Sequence, residues 1–431
     1  MKILLFKLEK QVGRALSLWK TDCNVIVLGS FLLIPFSELR SIEYQFLGPR
    51  TVSIAVLLFL AIVATDFART LASVGFSQIA RKLRPVMYLF LAYAAFILHK
   101  ALFWSSSPEV NSIPLYTLLG VSAVMVLSFF VLSRYSGNDI LNFIYKYSLI
   151  ITFLFLLICL SARLFDYHVV YQGVDTAKLH FPYIFRPYQA ATLGAVTLIL
   201  GTSAAVILGK SRVLYFMVPV MTLAIANTGS RSVMWLLTVI WVLMSGYYAI
   251  FAWNMQPHLK TGFRHIVAST ALPGVLLLLF MNDQTRRAFS FLTIAPLDLL
   301  TAAADAPRHE MWLSALKSYF YGTPLNPGIV GSSTHNVYLD ILVNGGFVAL
   351  VLFVVFVGLM VFSVARMAIR DHASLNHPLY VALGMSLLLI AGEFYVNPMV
   401  HLPFVYVFFG LVLAILSNKD SFDMNASHPE A

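Results

Sequence analysis

Apolar residues fill this chain in long continuous runs, without regular alternation of apolar and polar positions. A transmembrane helix needs about 20 mostly apolar residues, whereas a strand of a membrane barrel alternates residue by residue. The runs therefore predict an all-α polytopic membrane protein with about 12 transmembrane helices. The predicted helices cover residues 24–37, 50–66, 86–103, 115–133, 142–163, 189–209, 213–227, 232–252, 264–281, 347–365, 377–395 and 400–417.

Composition agrees with this pattern. The chain has 431 residues, of which 59% are hydrophobic and 11% are charged. Soluble domains contain about 25% charged residues, so the composition excludes a protein built mainly of soluble domains. The net charge of +10 is typical of cytoplasmic loops that contact anionic lipid, so we expect membrane lipids and no nucleic acid as partners.

Cofactor motifs are missing from the sequence. The two cysteines, Cys23 and Cys159, are too few for a disulfide framework or a metal cluster. No His/Cys cluster has ligand spacing, and neither a phosphate-binding loop nor a dinucleotide fingerprint occurs. We therefore expect no metal and no cofactor.

The basic residues predict the orientation. If the N-terminus is cytoplasmic, the dense clusters 81–84, 210–212 and 366–370 all fall on the inner side. The positive-inside rule then places both termini in the cytoplasm and the long polar stretch 282–346 on the outer side. Because loops longer than about 15 residues are usually functional or disordered, this stretch is the first place to look for chemistry.

Three of the basic residues on the outer side, against the general bias, stand in distinctive positions: Arg186, Arg231 and Arg308. Arg231 opens a predicted helix, where the helix dipole disfavours a cation unless an anion such as phosphate binds there too. The alternatives are ordinary interfacial roles. Arg231 would then extend its charge to the membrane surface, and Arg186 would pair with a carboxylate such as Asp175.

The outer loop contributes a helix and a histidine. Pro307–Leu316 has the pattern of a short amphipathic helix on which Arg308 and Trp312 share a face. His335 precedes a helical run into the tenth span, and a neutral imidazole can take a proton from a hydroxyl near pH 7. A structural or merely exposed histidine is the alternative. Glu393, near the outer end of the eleventh span, could orient His335 or neutralise an arginine.

Three short motifs occur in a particular order: Thr228-Gly-Ser-Arg-Ser232 at the start of a span, Arg308-x-x-x-Trp312, and His335-Asn336-x-x-Leu339 followed by Asn344-Gly-Gly346. With the number of spans, they resemble the O-antigen ligase/polymerase superfamily of bacterial inner-membrane proteins. The N-terminal half is similar in hydropathy, with Arg186 as its one candidate position. The residues after it, Pro-Tyr-Gln, do not match a diagnostic pattern.

The resemblance implies a GT-C-like glycosyltransferase on the periplasmic face that needs neither metal nor ATP. Arg231, Arg308 and Arg186 would bind the diphosphate of an undecaprenyl-diphosphate-linked glycan, and His335 would be the catalytic base. Asn336 and Glu393 would support the site. Ligation of the glycan to lipid A–core is the expected reaction, and extension of the glycan on its carrier by a polymerase is the alternative. A non-enzymatic transporter is less favoured, because no internal repeat is visible.

The resulting organisation has five parts in the bacterial inner membrane. They are a cytoplasmic amphipathic N-terminus (1–22), transmembrane helices 1–9 (23–281), a periplasmic catalytic loop with short helices (282–346), transmembrane helices 10–12 (347–417) and a cytoplasmic tail (418–431).

Overall fold

A computed structural model describes most of the predicted membrane-embedded part. The described residues are 26–33, 54–74, 76–104, 114–164, 169–171, 174–176, 187–251, 257–279, 306–322, 334–371 and 374–418. Within them the regular structure is helical apart from one antiparallel hairpin, in which Val170 lies opposite Asp175. The predicted N-terminal segment, the tail beyond Asn418, Arg186, and the parts of the outer loop at 282–305 and 323–333 lie outside the described residues.

The elements follow the apolar runs closely. The helices are α1 Ile54–Val74, α2 Phe76–Leu83, α3 Met87–Phe103, α4 Leu115–Leu132, α5 Gly137–Leu164, α6 Pro187–Ile207, α7 Leu214–Asn227, α8 Arg231–Phe251, α9 Pro257–Leu279, α10 Ala306–Tyr321, α11 Val337–Arg370, α12 His377–Val396 and α13 Pro403–Ser417. The hairpin strands are β1 Val169–Tyr171 and β2 Val174–Thr176, and short 3-10 turns lie at Phe31–Leu33, Arg84–Val86 and Ser211–Val213.

Six stretches of helix among the described residues are long and apolar enough to cross a membrane. They are Ile79–Phe103, Leu115–Leu132, Gly137–Leu157, Tyr188–Ile207, Val337–Arg370 and His377–Val396. Shorter apolar helices cover Ser211–Asn227, Arg231–Tyr247 and Pro403–Ser417. The prediction of an all-α membrane protein is therefore confirmed for the described residues, and the prediction of twelve spans stays a prediction.

Glycines allow two of the helices to pack closely. A Cβ added at Gly410 of α13 would lie 2.6 Å from the Cβ of Ser128 and 2.7 Å from the carbonyl oxygen of Met125, both on α4. Small residues of this kind let membrane helices approach backbone to backbone. The Asn418 side chain donates to the Ser133 carbonyl at 2.7 Å, so α4 and α13 run in the same direction.

Aromatic contacts fix the direction of α3 against α11. The ring of Tyr93 lies 4.8 Å from that of Phe356, and the ring of Phe96 lies 5.3 Å from that of Phe353. Because residue numbers rise along α3 in the direction in which they fall along α11, the two helices are antiparallel. The indole of Trp104, just after α3, consequently lies beside Gly345.

A second antiparallel pair is formed by α8 and α12. Leu236 of α8 lies against Gly392 of α12, and the rings of Tyr247 and His377 lie 5.3 Å apart. The first residue of α8, Arg231, is therefore at the same end of the bundle as the last turn of α12.

These contacts define two ends of the bundle. We call the end that contains Trp104, Arg231, Val337 and Val396 the site end. The opposite end, here the basic end, carries members of the basic clusters that the orientation prediction used, among them Lys82, Arg84, Lys210, Arg212 and Arg370. Arg134, which follows α4, lies at this end too.

The helix α11 is two helical arms joined by a sharp bend. Gly346 has φ 76° and ψ 178°, a conformation that is essentially restricted to glycine. In an unbroken helix Tyr338 and Phe353 would lie about 22 Å apart along the axis, yet their ring centroids are 6.2 Å apart. The short arm, 337–345, therefore folds back beside the long arm, 347–370, and its N-terminus points into the bundle.

Candidate functional site

His335 has an unusual backbone conformation. Its φ is 57°, and among the described residues it is the one non-glycine residue with a positive φ. The left-handed region costs a residue with a Cβ about 1–2 kcal/mol, although histidine occurs there more often than most residues. Strained residues persist where the surrounding structure holds them and are concentrated at functional sites. The histidine that the sequence predicted is thus set apart by its conformation as well.

Hydrogen bonds fix the residues on both sides of His335. The Asn336 side chain accepts from the backbone N–H of Leu339 at 3.1 Å and so caps the short arm of α11. The indole N–H of Trp312 donates to the carbonyl of Thr334 at 2.8 Å. Both Thr334 and Asn336 are almost completely buried. Asn336, predicted as a supporting residue, therefore acts as a helix cap.

The sequence predictions did not include Asp340. Its Oδ1 accepts from the backbone N–H of Thr334 at 2.9 Å and from the Thr334 hydroxyl at 2.6 Å. The same hydroxyl oxygen accepts from the backbone N–H of Asn336 at 3.3 Å. Asp340 is 6% exposed, and a buried carboxylate must be hydrogen-bonded to be tolerated. The available signal was a carboxylate in the first turn of a helix, next to a histidine motif.

Glu393 lies at the end of α12, fully buried. One carboxylate oxygen accepts from the side-chain amide of Asn397 at 2.6 Å, and the backbone N–H of Asn397 donates to the Glu393 carbonyl at 2.7 Å. The nearby Ala391 carbonyl accepts from the hydroxyl of Tyr338 at 3.0 Å. The first turn of α11 is therefore attached directly to the turn of α12 that carries Glu393.

Arg231 begins α8 at the same end. Leu236 is in contact with Gly392, and five helical residues correspond to about 7.5 Å along the axis. Because α8 and α12 are antiparallel, Arg231 is level with Asn397, one turn beyond Glu393. The turn before it is built by Gly229, with φ 66°, and by the Thr228 hydroxyl, which accepts from the backbone N–H of Ser230 at 3.2 Å.

The start of α6 also lies at the site end. The Thr192 hydroxyl contacts the sulfur of Met399 at 3.6 Å, in the buried connection between α12 and α13. Gln189, in the first turn of α6, is 1% exposed. The N-termini of α6, α8 and α11 are thus at one end of the bundle, and helix N-termini attract anions. Arg186, which immediately precedes α6, lies outside the described residues.

The helix predicted for the outer loop is present as α10, Ala306–Tyr321. Arg308 is in its first turn, and its side chain is among those left undescribed. Trp312 packs edge-on against Tyr395 of α12 with ring centroids 5.1 Å apart. The hydroxyl of Tyr319 accepts from the backbone N–H of Phe347, at the bend of α11, at 3.1 Å. Therefore α10 runs beside the short arm of α11 and covers it.

Four of the six predicted site residues can be compared in position. His335, Asn336, Glu393 and Arg231 all lie at the site end: the first two just before α11, Glu393 on the next helix α12, and Arg231 on α8, about 100 residues earlier. In the described part of the chain, no group of three or more His, Cys, Asp or Glu side chains could hold a metal ion. An apolar cavity of about 60 Å³ between α4, α5, α6 and α13 is lined by none of these site residues.

Comparison with known proteins gives no family for the chain. No protein-family model matches it, and no curated protein matches it significantly.

Proposed function

We propose that this protein is a membrane glycosyltransferase that works on the periplasmic face of the bacterial inner membrane. In this proposal it transfers a glycan from undecaprenyl diphosphate to lipid A–core, as an O-antigen ligase does. The observation that carries the proposal is the strained backbone conformation of His335, held between two buried neighbours at the site end. Glycine would avoid the steric cost of this conformation, so the presence of an imidazole there supports a role for the side chain.

The chemistry assigned to His335 is general base catalysis. The oxygen of an acceptor hydroxyl attacks the anomeric carbon of the donor, and the bond between that carbon and the diphosphate oxygen breaks. The hydroxyl proton passes to the His335 imidazole, and undecaprenyl diphosphate leaves with the electron pair. Energy comes from the activated donor, so no nucleotide is needed at the outer face.

The leaving diphosphate needs positive charge, and the site end supplies it in two forms. Arg231 is half-buried at the start of α8, and guanidinium groups suit phosphate oxygens because several N–H groups can donate at once. The N-termini of α6, α8 and α11 add partial positive charge in surroundings of low dielectric constant. Arg308 and Arg186 are proposed to complete the set, as the resemblance implies.

The depth of the histidine supports a reaction at the membrane rather than in solution. His335 precedes the inward end of the short arm, which begins about 12 Å inward of the bend at Gly346. Non-helical backbone at such depth is tolerated only where protein covers it or a polar cavity adjoins it. A site at this position would be reached more readily by a lipid-linked donor in the membrane than by a donor in solution.

The distribution of charge supports the proposed orientation. The basic end carries the clustered Lys and Arg side chains, as the cytoplasmic side of a membrane protein does. Cysteine labelling tests the orientation. In a chain without Cys23 and Cys159, Tyr321→Cys should react with a membrane-impermeant maleimide in intact spheroplasts, whereas Arg370→Cys should react only after lysis. The opposite pattern would reverse the orientation.

Transfer by the purified full-length protein in proteoliposomes tests the proposed activity. With a lipid-diphosphate-linked glycan and lipid A–core, His335→Ala should lower the rate by at least about 10²-fold. Arg231→Ala should lower it by about 10²–10³-fold. The matched controls are His265→Ala and Arg212→Ala at the basic end, which should keep the wild-type rate. Full activity of both site variants would refute the site assignment.

Deletion of the gene separates the ligase from the polymerase. A strain without the ligase should accumulate long glycan on the carrier lipid. A strain without the polymerase should carry single repeat units on lipid A–core instead. Unchanged surface glycan would exclude both activities and leave transport as the function to test.

A further inference from the structure

The Asp340 carboxylate bonds to the segment before the helix that contains it. In a helix, a carboxylate in the first turn usually accepts from the free N–H groups of that turn. Here Asn336 already caps the helix by accepting from Leu339. Asp340 instead accepts from the backbone N–H and the hydroxyl of Thr334, a residue that precedes the cap by two positions.

These bonds close a small ring around His335. The ring runs from Thr334 through the backbone to Asp340 and returns through the carboxylate. The Thr334 hydroxyl adds a second closure, because its oxygen accepts from the Asn336 N–H and also lies 3.0 Å from the Asn336 carbonyl. His335 is the one residue between these two anchored neighbours, so its backbone dihedrals have little freedom.

From this geometry we propose that Asp340, acting through Thr334, is the positioning residue that holds His335 in its left-handed conformation. The inference rests on the proposed function, in which the direction of the His335 imidazole decides the rate. Asp340 does not touch the substrate in this account. The bonds accepted by its Oδ1 determine where the imidazole points.

The size of the expected effect follows from the chemistry. A misplacement of about 1 Å can cost a factor on the order of 10² in rate, because the reacting atoms lose their alignment. Most of the proposed diphosphate binding comes from the arginines and from the N-termini of α6 and α8, which do not involve this turn. Loss of Asp340 should therefore lower kcat and leave the KM for the lipid-linked donor nearly unchanged.

Four variants of the full-length protein separate three effects: the position of His335, the charge of the Asp340 carboxylate, and a general loss of stability in the short arm. Asp340→Ala removes the acceptor, whereas Asp340→Asn retains an oxygen that can accept from Thr334. Thr334→Val removes only the hydroxyl. The matched control is Asn344→Ala, which breaks a bond of 2.7 Å to the Asp340 carbonyl in the same helical arm and leaves the ring intact.

The first readout is steady-state transfer in proteoliposomes. We expect Asp340→Ala to lower kcat by about 10–10²-fold with KM within about twofold. Thr334→Val should lose less, and Asp340→Asn and Asn344→Ala should stay within about threefold of wild type. A wild-type kcat for Asp340→Ala would overturn the proposal. So would an equal loss in Asp340→Asn, because the charge of the carboxylate would then matter rather than its position.

The second readout does not depend on activity. The chain has 11 histidines, and in ¹³C-histidine-labelled protein the His335 signal is the one that His335→Ala removes. Its Cα and Cβ shifts report whether φ is positive. The His335 Cα and Cβ chemical shifts should change in Asp340→Ala and Thr334→Val. They should keep their wild-type values in Asn344→Ala and Asp340→Asn.

The two readouts distinguish the two proposals. If wild-type protein transfers no glycan while the His335 shifts still depend on Asp340, the proposed function fails and the structural role of Asp340 stands. If transfer depends on His335 while its shifts are indifferent to Asp340, the positioning role fails and the proposed function stands. Should Asp340→Ala not fold, Thr334→Val decides the second outcome, because it nearly preserves the volume of the side chain.

Discussion

Replacing His335 by glycine should give a more stable protein than replacing it by alanine. Both substitutions remove the imidazole, so both proteins should be inactive. They differ in how they accept the backbone conformation with φ 57°. The comparison therefore isolates the strain that the wild-type chain tolerates at this position.

The magnitude can be worked out from two opposing terms. Holding alanine in the left-handed region costs about 1–2 kcal/mol, which glycine avoids. Glycine loses about 0.4–1 kcal/mol relative to alanine, because its unfolded chain is more flexible. The difference is about 0–1.6 kcal/mol in favour of glycine at position 335, with its centre near 0.8 kcal/mol. In an ordinary helix the order is reversed, with alanine favoured by about 1 kcal/mol.

The assay is equilibrium unfolding of the purified protein by SDS in mixed micelles, with the free energy of unfolding compared between variants. The matched pair is Asn344→Gly and Asn344→Ala, in the last helical turn of the short arm, where alanine should be the more stable. A reversal of sign between the two positions is the expected result. If alanine is favoured over glycine at position 335 by as much as at position 344, the left-handed conformation is wrong and the case for a strained site fails with it.

Other variants test the packing around the site and across the bundle. Gly410→Ala should lower the free energy of unfolding by about 1–3 kcal/mol, because the new methyl group meets α4 backbone. Its control Gly358→Ala, with nothing within 4 Å of the new Cβ, should be neutral or stabilising in the same SDS titration. Gly346→Ala should cost about 1–3 kcal/mol, since φ 76° with ψ 178° is essentially a glycine conformation; an unchanged midpoint would contradict the bend. Trp312→Phe removes the donor to the Thr334 carbonyl and should cost about 1 kcal/mol, seen as a lower thermal midpoint and slower glycan transfer.

Most of the fold could be predicted because membrane helices appear in the sequence as long apolar runs. An apolar run such as 115–133 has no other stable form in lipid, and the helix found there is Leu115–Leu132. The predicted and observed bounds of a helix differ most where the helix continues past its apolar residues. The predicted helix 50–66 corresponds to Ile54–Val74, whose last turns include the polar residues Arg69 and Thr70.

The candidate site was predicted in part. His335 and Arg231 could be found in the sequence because each lies next to an apolar run on the predicted outer side, where a basic or titratable residue suggests a function. Asp340 could not be found in that way, because its partner is the backbone N–H of Thr334, which comes within reach only after His335 takes a positive φ. The helical period from His335 to Phe347 suggested one continuous entry into the tenth span, and only the contact of Tyr338 with Phe353 shows the reversal.

For Glu393, the sequence contained evidence of a local hydrogen-bond partner that the sequence analysis did not use. Asn397 follows it by four residues, the spacing at which side chains meet on a helix, and the two are hydrogen-bonded. That pair would have assigned Glu393 a local partner from the sequence alone. The predicted functions of Arg308 and Arg186 stay predictions, since neither side chain is described.

The fold-back at Gly346 has a consequence for the order in which the protein assembles. The short arm carries Thr334, Asn336 and Asp340 into the bundle, and such polar groups do not enter lipid by themselves. The short arm is bonded to α12 through the Tyr338 hydroxyl and the Ala391 carbonyl, and α12 is synthesised later. The segment around His335 therefore reaches its final position only after His377–Val396 has been inserted. Under the proposed function, the site would be complete only in one of the last steps of biogenesis.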